Sequence, residues 1–358
     1  MTPTHTRSID LALQGGGSHG AFTWGVLDRL LDDESIDFSA VSGTSAGALN
    51  AAVLATGHAN GGRAGARAAL RAFWGDIGHT GSSFSPFGSG GSTGGASPFK
   101  LEDLPGYQWA SSFFRSFSPY EFNPMNLNPL RDVLTRHVDP AAIARCAFPL
   151  FVSATSVHTG QARVFSGAEI SVDALLASAC LPFIFQAVEI DGEPYWDGGY
   201  TGNPAIFPLI YDSRSLDVLL VRINPLSRPG TPHSSMDILD RLSEITFNAS
   251  LIGEMRAIGF VSRLIAEQKL DAGQYKALRM HMVADDAALS ALSPASKFNT
   301  DMAFLEQLFG FGRHAASEWL KAHGDAIGVR GTLDIETTFL GKPASPQPRP
   351  RPARRPSP

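Results

Sequence analysis

Residues 9–20 read Ile-Asp-Leu-Ala-Leu-Gln-Gly-Gly-Gly-Ser-His-Gly, and residues 36–47 read Ile-Asp-Phe-Ser-Ala-Val-Ser-Gly-Thr-Ser-Ala-Gly. In each stretch a short apolar strand leads directly into a turn of small residues. Apolar residues at helical spacing follow the first turn over 21–31, and small residues typical of a closely packed helix follow over 46–55. Two strand–helix units in succession predict an α/β fold with a mainly parallel sheet.

The remainder of the chain continues this alternation of strands and helices. The predicted helices span 64–74, 172–178, 236–265 and 300–323, and the predicted strands span 150–155 and 216–223, with a hairpin over 187–196. Gly57 is predicted to end the helix that starts at residue 46, because glycine is favoured just after a helix C-terminus. In the long helix, the apolar residues expected to face the core are Leu239, Leu242, Ile245, Ile252, Met255 and Leu264.

Composition restricts the classes of function. The chain has 358 residues with 29 Lys plus Arg and 34 Asp plus Glu, so it has no basic excess for binding nucleic acid. Two cysteines, Cys146 and Cys180, do not make a disulfide framework, so a reducing compartment is expected. We find no signal peptide in the polar residues 1–8 and no apolar run long enough to span a membrane. We therefore expect a cytoplasmic or peripheral membrane protein, with export by a specialised secretion system left open.

Two segments differ in composition from the predicted single domain, which spans 7–340. Residues 78–119 are rich in Gly, Ser and Phe and poor in charge, so this insertion is either unstructured or an apolar cap over a lipid-binding cleft. Residues 342–358 hold five Lys or Arg, no acid and seven of the 24 prolines, which predicts a disordered basic tail. The tail is either a solvated terminus, an arm attracted to anionic lipid or a polyproline ligand.

The glycine loop admits a nucleotide-binding interpretation. Gly15, Gly17 and Gly20 satisfy G-x-G-x-x-G between a strand and a helix, which is the dinucleotide fingerprint. That fingerprint needs an acidic residue at the end of the second strand to bind the ribose. Here the second strand ends in Val-Ser-Gly, and Asp37 lies at its start. The sequence therefore disfavours a nucleotide site and leaves a loop rich in unhindered backbone N–H groups.

The second turn, Gly43-Thr44-Ser45-Ala46-Gly47, satisfies G-x-S-x-G, the pattern of a nucleophile elbow. A serine on a sharp strand-to-helix turn needs small neighbours, and the N-terminus of the following helix favours developing negative charge. An ordinary α/β-hydrolase places this serine later in the chain, with a histidine after it as the base. The later histidines here have no recognisable acid–base context; they are His233, His281, His314 and His323.

Asp197 offers a different base. It follows an apolar segment and precedes Gly198 and Gly199. An Asp-Gly pair by itself indicates a turn in which the aspartate caps its own backbone. Beside the serine elbow and the glycine loop, however, the carboxylate completes the set that acyl transfer requires, namely a nucleophile, an oxyanion site and a base.

These three segments, in this order, resemble the patatin-like phospholipases. The resemblance extends to Ala-Ser-Ala-Cys-Leu-Pro-Phe at 177–183 and Asn-Pro at 203–204, and it spans about 10–205. It implies a three-layer α/β/α fold with a mainly parallel central sheet, a Ser–Asp catalytic dyad and hydrolysis of lipid acyl esters. It also implies a lipid or phospholipid substrate at a membrane surface. No metal or cofactor is expected, and the sequence contains no H-E-x-x-H pattern, Cys/His cluster or EF-hand loop.

Carried onto this chain, the resemblance makes Ser45 the nucleophile and Asp197 the base. It makes Gly15, Gly16 and Gly17 the oxyanion loop. The supporting residues are His19, Gly43, Ala46, Gly47, Gly198 and Gly199.

One position departs from the family pattern. The family often has Arg or Lys where this chain has His19, so a positive charge there would require a protonated histidine, which is a minor form at neutral pH.

Two other functions remain compatible with the sequence. One is a soluble short-chain carboxylesterase, and the other is a non-catalytic lipid-surface binding protein that retains the fold.

Overall fold

The computed structural model describes residues 6–84, 117–228, 230–233 and 235–341. Most of the predicted insertion at 78–119 and the whole predicted tail at 342–358 lie outside the described residues. Residues 78–84, the first part of that predicted insertion, are helical. Within the described ranges, no helix combines the length and the hydropathy that crossing a bilayer would require.

A single sheet forms the centre of the molecule. Its strands are β1 (Arg7–Leu13), β2 (Ile36–Thr44), β3 (Leu150–Ser156), β4 (Ala162–Ser166), β5 (Val188–Ile190), β6 (Glu193–Asp197), β7 (Asp217–Val221) and β8 (Arg279–Val283). The strands lie in the order β5-β6-β3-β2-β1-β7-β8, and β4 also pairs with β3. Strands β1, β2, β3, β7 and β8 are parallel to one another, whereas β4, β5 and β6 make antiparallel pairs. The prediction of a mainly parallel sheet is confirmed.

Helices follow the strands in the predicted alternation. They are α1 (Gly20–Leu31), α2 (Ala46–Phe84), α3 (Pro119–Phe122), α4 (Pro129–His137), α5 (Pro140–Ala144), α6 (Val172–Ser178), α7 (Phe207–Asp212), α8 (Ser235–Ala266), α9 (Asp286–Ser290), α10 (Met302–His323) and α11 (Ile335–Leu340). Short 3₁₀ helices occupy Gly17–His19, Gly167–Glu169, Gly198–Tyr200, Pro294–Phe298 and Gly324–Ala326. Several helices begin at a side chain that accepts a first-turn N–H, as Asp301 does from Phe304 at the start of α10.

Helices pack on both faces of the sheet, and a hydrophobic core lies between the sheet and the helices on each face. Helices α1, α2, α4, α6 and α10 contribute to the first core, and α8 and α11 contribute to the second. Successive residues of β1 point to opposite faces, so Leu11 and Leu13 enter the first core and Ala12 the second. This arrangement is the three-layer α/β/α fold that the resemblance implies.

The prediction that Gly57 ends a helix is wrong. Helix α2 continues through this position and deviates from helical geometry only at Gly61 and Gly62, where the φ angle of Gly62 is 59°. A Cβ on Gly57 would lie 2.7 Å from both the Gly65 carbonyl oxygen and the Ala69 side chain. Gly57 is therefore small because the second half of α2 folds back against it, and the predicted helix at 64–74 is that second half.

The long helix α8 is only partly oriented as the sequence predicts. Met255 is fully buried, but Leu239, Leu242 and Ile245 are exposed by 44%, 53% and 50%. In this half of the helix the buried side is polar and contains Glu244. Ion pairs and hydrogen bonds thus fix which side of α8 faces inward, and the apolar row faces outward. Ile252 and Leu264 are half-buried.

Candidate active site

The carboxyl ends of three neighbouring parallel strands meet at one edge of the sheet. The glycine loop follows β1, Ser45 follows β2, and a turn containing Asn224 follows β7. Asp197 ends β6 and pairs with Ala154 of β3. The structure therefore brings the glycine loop, the serine and the aspartate to the same end of the sheet, which is where α/β folds place their sites.

Ser45 lies on a strained turn between β2 and α2. Its φ angle is 52°, which is rare for a residue with a side chain and recurs at functional sites. The turn depends on small neighbours, because a Cβ on Gly43 would lie 2.6 Å from the Gly47 carbonyl oxygen, and one on Gly47 would collide with the Leu13 carbonyl oxygen. The Ser45 backbone N–H donates to the Ser178 hydroxyl at 2.9 Å. Helix α2 begins at the next residue, so its N-terminus faces the serine.

Asp197 is fully buried and has one oxygen available. Its Oδ1 accepts the Gly199 N–H at 2.7 Å, whereas Oδ2 has no hydrogen-bond partner among the described residues. Burial raises the pKa of Asp197 to about 7, against opposing effects of the Gly199 N–H, the Ser45 hydroxyl and the Lys297 charge. The Ser45 hydroxyl is thus close enough to influence the carboxyl group, although it makes no hydrogen bond with Oδ2.

The turn after Asp197 is packed against the strands that carry the other site residues. A Cβ on Gly198 would collide with the Ser153 carbonyl oxygen, and one on Gly199 would collide with the Phe247 ring. The Thr44 hydroxyl donates to the Gly202 carbonyl at 2.6 Å. Through this hydrogen bond the residue before the serine is connected to the turn that follows the aspartate.

The three loop glycines have different environments. The Gly15 N–H donates to Asn203 Oδ1 at 2.6 Å, and the Gly15 carbonyl accepts from Asn224 Nδ2 at 2.7 Å. Gly15 is therefore held from behind, and its N–H is already occupied. The N–H groups of Gly16 and Gly17 donate to no acceptor that the described residues supply. Of the three loop glycines, only Gly15 therefore has its N–H committed to another part of the protein that the structure describes.

A buried amide network behind the loop was missed in the sequence. Gln14 Oε1 accepts the N–H groups of Ile223 and Asn224, both at 2.9 Å. Its Nε2 donates to the Asn203 carbonyl at 3.3 Å and to Asn248 Oδ1 at 3.2 Å. Gln14 directly follows an apolar strand and precedes three glycines, and this position indicates a buried side chain that needs hydrogen-bond partners. Its partners come from distant segments and carried no such signal.

His19 is not a source of positive charge. It is 1% exposed, and its Nε2 lies 2.7 Å from the Ser296 hydroxyl. Ser296 gives its own proton to the Ser293 carbonyl, so the His19 ring must be the donor in this pair. Burial lowers the pKa of His19 to about 3, helped by the charges of Lys297 and Arg228. His19 therefore fixes the loop as a neutral hydrogen-bond donor, and a protonated form plays no part at neutral pH.

His281, one of the later histidines, pairs with a carboxylate far from the serine. His281 is fully buried and bonds Asp217 Oδ1 at 3.0 Å and the Thr332 hydroxyl at 2.9 Å. Asp217 is the first residue of β7, at the opposite edge of the sheet from Ser45. Burial opposes ionisation of Asp217, but hydrogen bonds from His281 and Arg279 lower its pKa to about 2. This group stabilises the far end of the sheet.

Comparison with known proteins gives one family match. A family model described as patatin-like phospholipase matches residues 11–210, a range that includes the glycine loop, Ser45 and Asp197. No curated protein matches the sequence.

Three solved structures are partly similar to this chain. VipD from Legionella pneumophila has a TM-score of 0.37 and 14% identity, over 86% of this chain and 67% of that one. Two structures of ExoU with SpcU from the Pseudomonas aeruginosa type III secretion system have TM-scores of 0.28 and 0.30 and identities of 14% and 17%. They cover 87% and 94% of this chain, and 53% and 66% of the other. This chain thus spans roughly half to two thirds of the length of these proteins.

Proposed function

The chain belongs to the patatin-like phospholipase family, and on that premise we propose that it is a lipid acyl hydrolase with Ser45 as nucleophile and Asp197 as base. The observation that carries this proposal is the buried Oδ2 of Asp197, which has no hydrogen-bond partner in the described part of the chain and lies at the same sheet edge as the strained Ser45 turn. A pKa near 7 suits a general base at neutral pH, because half of the carboxyl groups are then ionised.

In the first step Asp197 Oδ2 accepts the Ser45 hydroxyl proton as Oγ bonds to the ester carbonyl carbon. The carbonyl oxygen becomes an oxyanion, which the N–H groups of Gly16 and Gly17 bind. The ester bond to the alcohol then breaks, and the proton on Asp197 passes to the leaving oxygen.

In the second step water releases the acyl group from Ser45. Asp197 accepts a proton from the water as the water oxygen attacks the acyl carbon, and the same N–H groups bind the second oxyanion. The bond to Oγ breaks, and Asp197 returns the proton to Ser45. No metal or cofactor is required by this sequence of steps.

A lipid substrate is supported by exposed apolar side chains on elements that contact the site. Phe247 of α8 packs against Gly199, beside the proposed base. Earlier in the same helix an apolar row is exposed, and its residues are Ile238, Leu239, Leu242 and Ile245. Phe183, which follows α6, is 67% exposed. Exposed apolar groups beside a site favour contact with a lipid surface, so we propose a phospholipid or other lipid ester presented at a membrane surface.

Hydrolysis of a defined panel of phospholipids and neutral lipids, read by mass spectrometry, tests this function. We expect released fatty acid and labelling of Ser45 by a fluorophosphonate. Turnover of short soluble esters with no increase on micelles would indicate a carboxylesterase. Lipid binding without hydrolysis and without labelling would indicate a non-catalytic protein and overturn the proposal.

The proposed base predicts the pH profile. Asp197 must be ionised to accept a proton, so kcat/KM should rise with pH through an apparent pKa of about 7. The measurement is ester hydrolysis over roughly pH 5 to 9. Glu254 is the matched control, because burial also raises its pKa to about 7. Glu254→Gln should leave the midpoint in place, and full activity at about pH 5 would contradict the assignment.

A further inference from the structure

Lys297 is held against the glycine loop by contacts distant in sequence. It lies in the 3₁₀ helix Pro294–Phe298, which His19 anchors through Ser296. A Cβ on Gly17 would collide with the Lys297 carbonyl oxygen, so the two backbones are in close contact. The charge of Lys297 affects both Asp197 and His19. A fixed positive charge therefore accompanies the loop, although none of the loop residues carries one.

The ammonium group of Lys297 is connected to the loop through one side chain. Lys297 Nζ donates to Asn224 Oδ1 at 2.8 Å, and Asn224 Nδ2 donates to the Gly15 carbonyl at 2.7 Å. The Gly15 carbonyl and the Gly16 N–H belong to the same peptide group. The hydrogen bonds thus run in one direction, from the ammonium through two amides to the N–H that the proposed function assigns to the oxyanion.

Such a chain strengthens its last donor. Hydrogen bonds in series polarise one another, and the effect is larger in a buried environment. Asn224 is fully buried, so water does not screen the middle of the chain. A cation on Asn224 Oδ1 makes Nδ2 a stronger donor, and a stronger bond to the Gly15 carbonyl makes the Gly16 N–H more positive.

We infer that Lys297 is a positioning residue of the reaction, which polarises the Gly16 N–H through Asn224 and so stabilises the oxyanion. This inference rests on the proposed function, because it assumes that Gly16 binds the oxyanion. The other cation that affects His19, Arg228, bonds Glu244 at 2.8 and 2.9 Å and is occupied by that pair.

The test uses p-nitrophenyl butyrate, an uncharged soluble ester without a headgroup. Losing one oxyanion donor costs roughly 10² to 10³ in kcat, so weakening one should cost about tenfold. We expect Lys297→Met to lower kcat by about tenfold with little change in KM, and Lys297→Arg to retain most activity. The Lys297→Met change should also move the acidic limb of the profile to higher pH, because the charge lowers the pKa of Asp197. Lys321→Met, at an exposed position near the end of α10, controls for the change in net charge.

A double-mutant cycle tests the route. In an Asn224→Ala background the chain is already cut, so Lys297→Met should cost less than about twofold in kcat when both are measured on the alkaline plateau, where Asp197 is ionised. The same tenfold loss in both backgrounds would overturn the relay, and so would a loss confined to KM or a Lys297→Met kcat within twofold of wild type. Ser45→Ala on the same ester separates the two proposals. A wild-type rate no higher than that of Ser45→Ala would overturn the proposed function and this inference together.

Discussion

Replacing Ser45 with alanine is expected to abolish ester hydrolysis, with kcat reduced by at least about 10⁴-fold. The variant keeps the oxyanion donors and the buried Asp197, but it has no oxygen to form the acyl intermediate. Alanine is no larger than serine, and the Ser178 contact uses the backbone N–H of residue 45, so the turn should persist. Hydrolysis of the lipid panel, with thermal unfolding as a check on folding, measures the effect.

The control is the same substitution, serine to alanine, at a position distant in sequence. Ser243 lies on the exposed side of α8, and its hydroxyl donates only to the Leu239 carbonyl within the helix, as far as the described residues extend. Ser243→Ala should therefore retain wild-type turnover and fluorophosphonate labelling. Turnover in Ser45→Ala above about a hundredth of wild type would contradict the assignment of the nucleophile.

The second large effect is expected for Asp197→Asn. The amide has nearly the same shape as the carboxyl group but does not accept the serine proton, so turnover should fall by at least about 10³-fold. Labelling of Ser45 should slow as well, because the serine loses its base. Turnover within tenfold of wild type would show that another group accepts the proton, and a histidine would then have to be sought.

The same substitution should change the pH dependence of stability. The pKa of Asp197 is about 7 in the folded protein, against about 3.9 for an unfolded chain. The buried carboxyl is therefore favourable when protonated, and the folded state loses that stability as pH rises from about 4 to about 7. Asparagine has no such titration, so its free energy of unfolding relative to wild type should increase over this interval, by up to about 1.4 kcal/mol per pH unit.

Urea unfolding at several pH values measures this difference. Its change with pH is more informative than its absolute value, because the asparagine amide introduces a buried donor whose own cost is independent of pH. A difference that stays constant between about pH 4 and 7 would mean that Asp197 does not titrate in this range. The base assignment would then rest on turnover alone.

Local sequence was sufficient to predict the structure where the residues that contact one another lie in the same segment. The strand–turn–helix pattern around Ser45 predicted the elbow, since the need for small residues arises between neighbours such as Gly43 and Gly47. Local sequence did not explain Gly57. A glycine is needed there because the later half of α2 folds back and packs against it. The predicted orientation of the N-terminal half of α8 was wrong for a similar reason. Its inward side is chosen by Glu244, whose partner Arg228 lies on another segment.

The sequence by itself determined the α/β class, the three segments of the proposed site and their order, because strand periodicity and glycine turns are local properties. Only the tertiary structure decided which groups at that site are protonated and which charge lies near the loop. His19 is neutral because it is buried, and the pKa of Asp197 is raised for the same reason. Lys297 reaches the loop through Asn224, although more than two hundred residues separate it from Gly15. Burial and proximity between distant segments set these energies, and neither is encoded in the residues on either side of a motif.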